Sequence, residues 1–223
     1  MQQVAAAPGG RTWRVVPDLN PHLIFTVARA GSRVHARCFL VGARSRFADV
    51  AMANRILTCG VCLRPGALPH LTRLPSSDFT DRSIPIEAVF GTPGRLLMER
   101  LGELAPGRGA LSTIAAFLAE VWTGQNRPAS LPIDGCSRVQ QLAAQAGLPS
   151  RTLHSRLTQE IGLSPKRVLR IQRLQRALTL AQDRAAAWPH VAASAGFADQ
   201  AHMIREFVDL LGESPTAWRR RSV

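Results

Sequence analysis

The sequence predicts a two-domain protein: an N-terminal α+β domain, small and β-rich before it turns helical, and a C-terminal all-α domain in which two helix-turn-helix units are joined by a long helix. Three observations predict this. Short apolar and β-branched runs, punctuated by Pro, Gly, Asn and Asp, fill the chain up to about Leu63. Residues 139–221 carry helical apolar spacing almost throughout, with Gly and Pro only at regular stops. That second region also contains one pattern twice.

The composition sets the frame. The chain has 223 residues, of which 46% are apolar and 19% charged, a globular balance that excludes wholesale disorder. No uninterrupted apolar run approaches the ~18 residues of a membrane span. The start, MQQVAAAPGGRTWR, lacks the apolar core of a secretory leader, so a cytoplasmic protein is expected. Lys+Arg number 28 against 15 Asp+Glu, a net charge of +13, which predicts a polyanionic partner, most simply nucleic acid. Every basic residue but Lys166 is arginine.

The elements follow in order. Residues 1–12 read as a loose leader of small residues. Strands are expected at Trp13-Arg-Val-Val, Leu23-Ile-Phe-Thr-Val, Arg37-Cys-Phe-Leu-Val and Ile56 to Leu63. Arg64-Pro-Gly then ends the sheet, as a structural corner or a ligand anchor. Ala67 to Leu74 suits one or two helical turns, Ser76-Ser-Asp a cap or turn, and Pro85 to Phe90 is ambiguous. Gly94 to Leu104 and Leu111 to Trp122 each show one broad apolar face and are expected as core helices. The polar, Gly- and Pro-bearing stretch near 124–135 is the expected boundary, giving domains 1–130 and 136–223.

The cysteines do not suggest a metal. Cys59-Gly-Val-Cys62 is one C-x-x-C pair, whereas Cys38 and Cys136 are isolated, and a structural zinc site usually takes two close pairs. The local sequence reads as a strand carrying small buried thiols. No metal ligand set, cofactor site or catalytic residue is expected, and the chain is not read as an enzyme.

The repeat carries the chemistry. Ala143, Ala146 and Gly147 match Ala192, Ala195 and Gly196 at an offset of 49, and Leu153, Leu157, Gly162, Ser164 and Pro165 match Met203, Phe207, Gly212, Ser214 and Pro215 at an offset of 50. Each copy has a short alanine-bearing helix, a turn glycine suited to positive φ, an apolar plug (Leu148 or Phe197), an expected N-cap (Ser150 or Asp199) and a second helix with a buried i, i+4 pair. Between the copies, Pro165 to Gln182 is expected as one helix. It bears Lys166, Arg167, Arg170, Arg173 and Arg176 and has apolar residues able to pack on both units. Eighteen residues would span roughly 27 Å, near the ~34 Å between successive major-groove faces, so its cations are expected to clamp phosphates.

Residues 137–221 resemble the double helix-turn-helix module of AraC/XylS-type transcription regulators. The resemblance rests on Leu142-Ala-Ala…Ala-Gly, Leu153, Gly162-Leu-Ser-Pro, Arg173-Leu174 with Ala177, then Ala195-Gly-Phe-Ala-Asp-Gln, Arg205, Phe207 and Gly212-Glu-Ser-Pro. Val168, Trp218, Ala201, Met203 and Trp188-Pro-His depart from the family's usual residues. The resemblance implies a sequence-specific regulator whose two units read adjacent major-groove segments of double-stranded DNA. Arg151, His154 and Ser155, then Gln200, His202, Ile204 and Arg205, would face the bases. Ser150, Lys166, Arg167, Arg170, Arg173 and Asp199 would lie at phosphates. Val16-Pro-Asp, Leu23-Ile-Phe, Gly60-Val-Cys-Leu-Arg-Pro-Gly-Ala and Leu74-Pro-Ser-Ser-Asp-Phe-Thr-Asp-Arg resemble the sensor regions of a subset of these regulators. They imply an effector-binding or dimerising N-terminal domain, with RNA polymerase, a small-molecule effector and a second copy as further partners and no membrane. The competing readings are a cysteine-dependent DNA-repair regulator and a nonspecific architectural DNA binder.

Overall fold

A computed structural model describes residues 4–5, 11–30, 33–52, 56–123, 133 and 135–222. It has a β-rich N-terminal region followed by helices, then an all-helical C-terminal region, as the sequence predicts.

The strands are β1 (Val4–Ala5), β2 (Arg11–Val15), β3 (His22–Ala30), β4 (Arg33–Val41), β5 (Ala48–Met52), β6 (Ile56–Cys62) and β7 (Ser83–Pro85). Five form one antiparallel sheet in the order β1-β6-β3-β4-β7, and β2 pairs with β5 in a second. Residues 1–12 are not simply a loose leader. Val4 and Ala5 pair with Thr58 and Leu57, and Arg11 and Thr12 pair with Met52 and Ala51; 1–3 and 6–10 lie outside the described residues.

Period-two alternation sends Leu23 and Phe25 of β3, Cys38 and Leu40 of β4 and Cys59 of β6 to one face. That face is covered by α1 (Leu68–Thr72), a 3-10 turn (Ser76–Phe79), α2 (Ile86–Phe90), α3 (Thr92–Gly102) and α4 (Arg108–Val121). Phe79, Ile86, Leu97, Leu101, Ile114 and Phe117 complete its core. Phe25 sits opposite both Cys38 and Cys59. Cys62, three residues beyond Cys59, falls on the other face of the strand and is exposed, so only Cys59 of the expected buried pair is buried. Burial pushes the Cys38 thiol up to about 12, so it carries essentially no thiolate at neutral pH.

The C-terminal helices are α5 (Val139–Ala146), α6 (Ser150–Glu160), α7 (Pro165–Leu180), α8 (Trp188–Ala195), α9 (Gln200–Leu211) and α10 (Pro215–Ser222). Helix α7 ends two residues before the sequence suggests, and its 16 residues span about 24 Å. It serves two cores: Val168, Leu169 and Ile171 pack with the first unit, and Leu174, Ala177 and Leu178 with the second. Each core takes in residues from the N-terminal region, Leu19 and Ala43 in the first and Val16 in the second. Most of the stretch expected as a boundary, 124–132 and 134, lies outside the described residues.

Candidate nucleic-acid interface

The two helix-turn-helix units are built by the same local rules. Helix α5 ends at Gly147 (φ 62) and α8 at Gly196 (φ 87), both left-handed. In the first, Gly147 N donates to Ala144 O (3.1 Å) and Leu148 N to Ala143 O (3.0 Å). In the second, Gly196 N donates to Ala193 O (3.1 Å) and Phe197 N to Ala192 O (2.9 Å). This paired stop satisfies the last carbonyls and needs a residue free to take positive φ. Leu153 and Leu157 then bury one face of α6, and Met203 and Phe207 one face of α9, all at 0% exposure.

The repeat is not perfect, and the one-residue difference in its turn matters. In the second unit Asp199 is the N-cap of α9, and its Oδ1 accepts from His202 N at 2.6 Å. In the first unit the turn is one residue shorter. Pro149 takes the cap position and Ser150 becomes the first residue of α6, with no side-chain cap bond to the helix. The expected Ser150 cap is therefore absent.

Burying those faces leaves the opposite faces to solvent. Arg151, His154 and Ser155 on α6 are exposed, as are Gln200, Ala201, Ile204 and Arg205 on α9. His202 is different. It is half-buried, its ring meets the Phe197 ring edge-on at 5.4 Å, its Nδ1 accepts from Ala198 N at 3.4 Å, and its Nε2 lies 3.9 Å from Glu206 Oε1.

The cations of α7 are divided in the same way. Lys166 is exposed and Arg167 half-buried on its first turn. Arg170 crosses to α9, donating from Nε to both Glu206 carboxylate oxygens (3.1 and 2.8 Å) and from Nη2 to Asp209. Burial draws its guanidinium pKa down, but the Glu206 and Asp209 carboxylates outweigh that and hold it above its ordinary range. Arg173 lies over the Phe197 ring (5.8 Å) and donates to Ser137 O (3.3 Å), and burial holds its pKa below the usual guanidinium range. Arg176 lines a cavity of about 710 Å³ between α7 and the N-terminal region.

Comparison with known proteins decides what this arrangement is. A family model described as a helix-turn-helix domain matches residues 142–221. The DNA-binding domain of AdpA, a global transcriptional factor solved in complex with a target DNA, is 31% identical over 38% of this chain and 76% of its own, with a TM-score of 0.36. The chain belongs to the AraC/XylS-type transcription regulators. A second model, described as a domain of unknown function (DUF6597), matches residues 3–85. A DNA-binding transcriptional dual regulator from Escherichia coli K-12 is 27% identical over 38% of this chain and 81% of its own, with a TM-score of 0.35. ToxT from Vibrio cholerae O395 is 10% identical over 95% of this chain and 96% of its own, with a TM-score of 0.47. No curated protein matched.

As an AraC-type regulator the chain is a DNA-binding protein, and its relatives are transcription regulators rather than enzymes. No helix among the described residues is long and apolar enough to cross a membrane. No group of three or more His, Cys, Asp or Glu side chains among them is placed to hold a metal ion. The departures at Trp188 and Trp218 are structural. Trp218 is buried, and Trp188 stacks under the Arg219 guanidinium at 3.7 Å and meets Phe207 edge-on at 6.4 Å.

Sequence reasoning missed the N-terminal residues that touch this AraC-type module. Ser76 Oγ donates to Glu160 O (2.6 Å), Thr80 Oγ1 to Gly162 O (2.9 Å), Phe47 N to Leu210 O (2.9 Å) and Arg14 Nη1 to Leu211 O (3.2 Å). Gln175 Nε2 donates to Pro17 O (3.3 Å) and Asp18 Oδ1 (2.9 Å). Burial pushes the Asp18 carboxyl up, but hydrogen bonds from His22, the Asn20 backbone and Gln175 outweigh it and hold it below the ordinary carboxylate range. These partners stand 82 to 197 positions apart, beyond the reach of any local pattern.

Proposed function

We propose that the chain is a sequence-specific regulator whose two units read adjacent major-groove segments of one DNA duplex. The observation that carries this reading is the exposure of matching faces on α6 and α9, with α7 packed into both units at once. Arg151 is the first base reader: a guanidinium at the start of a recognition helix suits guanine O6 and N7. Gln200 suits adenine N6 and N7, Ile204 a thymine methyl, and His154, Ser155 and Arg205 a base edge or a phosphate. His202, held by Phe197 and Glu206, braces its own unit.

Lys166 and Arg167 are assigned to phosphates, and Ser150 donates to one from the start of α6. Arg170 and Arg173, already engaged within the protein, are assigned to its architecture, and so is Asp199, whose carboxylate caps α9. Residues 136–223 then form the DNA-binding domain, with 1–130 as the domain that controls it. The buried Cys38 thiol and the separation of Cys59 from Cys62 favour this over a cysteine-dependent repair function.

Duplexes selected by the protein from a random pool test the reading. The wild type is expected to enrich a defined sequence. Arg151→Ala is expected to lose about 1–3 kcal/mol of discrimination at one base pair while keeping selectivity elsewhere. Affinity that follows salt alone, with no enriched sequence, would instead mark an architectural binder.

Control by a small molecule is supported by the 710 Å³ cavity, whose walls include Leu19, Arg64, Ile133, Ile161, Gln175 and Arg176. The Arg64 backbone closes a turn, with Ala67 N donating to its carbonyl at 3.1 Å, while its side chain is on the cavity wall. Arg176 Nη2 is buried without a hydrogen-bond partner among the described residues. A carboxylate would supply one. Small aliphatic and aromatic carboxylic acids are expected to raise the melting temperature of the wild type and not of Arg176→Met.

A further inference from the structure

The geometry points to a brace: the N-terminal region grips the C-terminal ends of both recognition helices, and Asp81 with Ser45 forms the crossbar that sets the spacing between them. This rests on the tandem reading of DNA proposed above and adds the residues that determine which half-site spacing the protein accepts.

The two grips fall on repeat-equivalent positions. At the end of α6, Gly162 (φ +90) lies against the 3-10 turn so closely that a Cβ there would come within 2.2 Å of Thr80 Oγ1 and 2.8 Å of Ser76 O. At the end of α9, Gly212 (φ +70) lies against Phe47, where a Cβ would sit 2.6 Å from the ring. The carbonyls gripped, Glu160, Gly162, Leu210 and Leu211, belong to the helix ends, where intrahelical donors run out. The grip on α9 is itself stiff. Arg14, held by two bonds to Asp49 (both 2.8 Å), stacks on the Phe47 ring at 4.4 Å.

Side-chain bonds connect the segments that carry the grips, Arg44 Nη2 donating to Ser83 Oγ at 3.0 Å and, closest to both grips, Ser45 bonding Asp81. Ser45, two residues before Phe47, donates to Asp81, the residue after Thr80, from both its backbone N (2.7 Å to Oδ1) and its hydroxyl (2.6 Å to Oδ2). Asp81 holds φ 58, a left-handed conformation uncommon outside glycine, and its N donates to Ala43 O at 2.9 Å. Ser45 is buried, and neither residue is among those assigned to DNA. Asp18, whose backbone pairs with Arg44 in the same loop, adds a third support through Gln175 at the middle of α7. Helix α7 is tied to the end of α6 by the four residues 161–164 and to the last turns of α9 by Arg170, and the crossbar adds a second tie between those two ends.

Two measurements on the full chain test the brace. Spin labels on Gln159→Cys and Val208→Cys, in a Cys62→Ser background, are expected to give one narrow distance distribution. Asp81→Ala and Ser45→Ala should each broaden it, and Ser45→Ala does so without disturbing the left-handed residue. An equally narrow distribution in both variants overturns the proposal. In the second measurement, one base pair is inserted between the two protected segments of a duplex selected by the wild type. The expected loss of affinity is about tenfold or more for the wild type and about threefold or less for Ser45→Ala. The same penalty in both proteins overturns the brace as a determinant of spacing. A selected duplex with a single protected segment overturns the tandem reading, and the spacing role with it, whereas the label distances report on the crossbar without DNA.

Discussion

Phe207→Ala is expected to destabilise the chain by about 3–5 kcal/mol, the range for emptying a fully buried aromatic site. Phe207 is at 0% exposure, packs with Val191, Met203, Leu210 and Leu211, and meets Trp188 edge-on. Removing its ring deletes the wedge between α8 and α9 that fixes the second recognition helix. At roughly 2–4 °C per kcal/mol for a chain of this size, the melting temperature should fall by about 6–20 °C. Phe207→Leu, which keeps most of the volume, should cost under about 1.5 kcal/mol. Thermal unfolding followed by circular dichroism separates the two. A drop for Phe207→Ala no larger than that for Phe207→Leu would show that the site collapses around the lost ring.

The second large effect is electrostatic. Arg170→Met keeps an apolar stem but removes the guanidinium that joins α7 to α9, leaving the Glu206 carboxylate, only 14% exposed, without its partner. A loss of about 1.5–3 kcal/mol is expected at neutral pH, the range for hydrogen bonds to charged groups. Asp209 gives this loss a pH dependence. The Arg170 hydrogen bond holds the Asp209 carboxyl below its ordinary value of 3.8, so Asp209 binds fewer protons folded than unfolded. Its contribution is complete above that ordinary value and is lost as pH falls through the folded one. The gap between wild type and Arg170→Met should therefore be widest near neutrality and narrow below about pH 4, as denaturant titrations at several pH values would show. The same substitution decides the role of the residue. A phosphate clamp would lower the salt dependence of DNA binding by about one unit of slope. A brace leaves that slope unchanged and lowers stability.

What was legible in the sequence follows from the range of the forces involved. The turn glycines at 147 and 196, the buried pairs on α6 and α9 and the Asp199 cap depend on contacts within a few residues, so spacing alone reveals them. The short strands β5 and β7 carry little local pattern. Ala48–Met52 becomes a strand by pairing with β2, and Ser83–Pro85 by adding to the edge at β4. Position in the turn mattered more than residue type at Ser150, a good capping residue displaced from the cap because its turn is one residue shorter. The cations of α7 look alike in the sequence. Only packing distinguishes Arg170 and Arg173, turned into the protein, from Lys166, left outside.

The sequence by itself therefore determined the two helix-turn-helix units, their order, the helix that joins them and the positive charge that suits them to DNA, because each is written in local periodicity, capping chemistry and composition. The tertiary structure alone decided which arginines remain free, where a cavity opens against α7, and how Ser76, Thr80, Phe47 and Arg14 meet the ends of both recognition helices. Those depend on groups brought together from opposite ends of the chain, where no residue's own neighbours carry the signal.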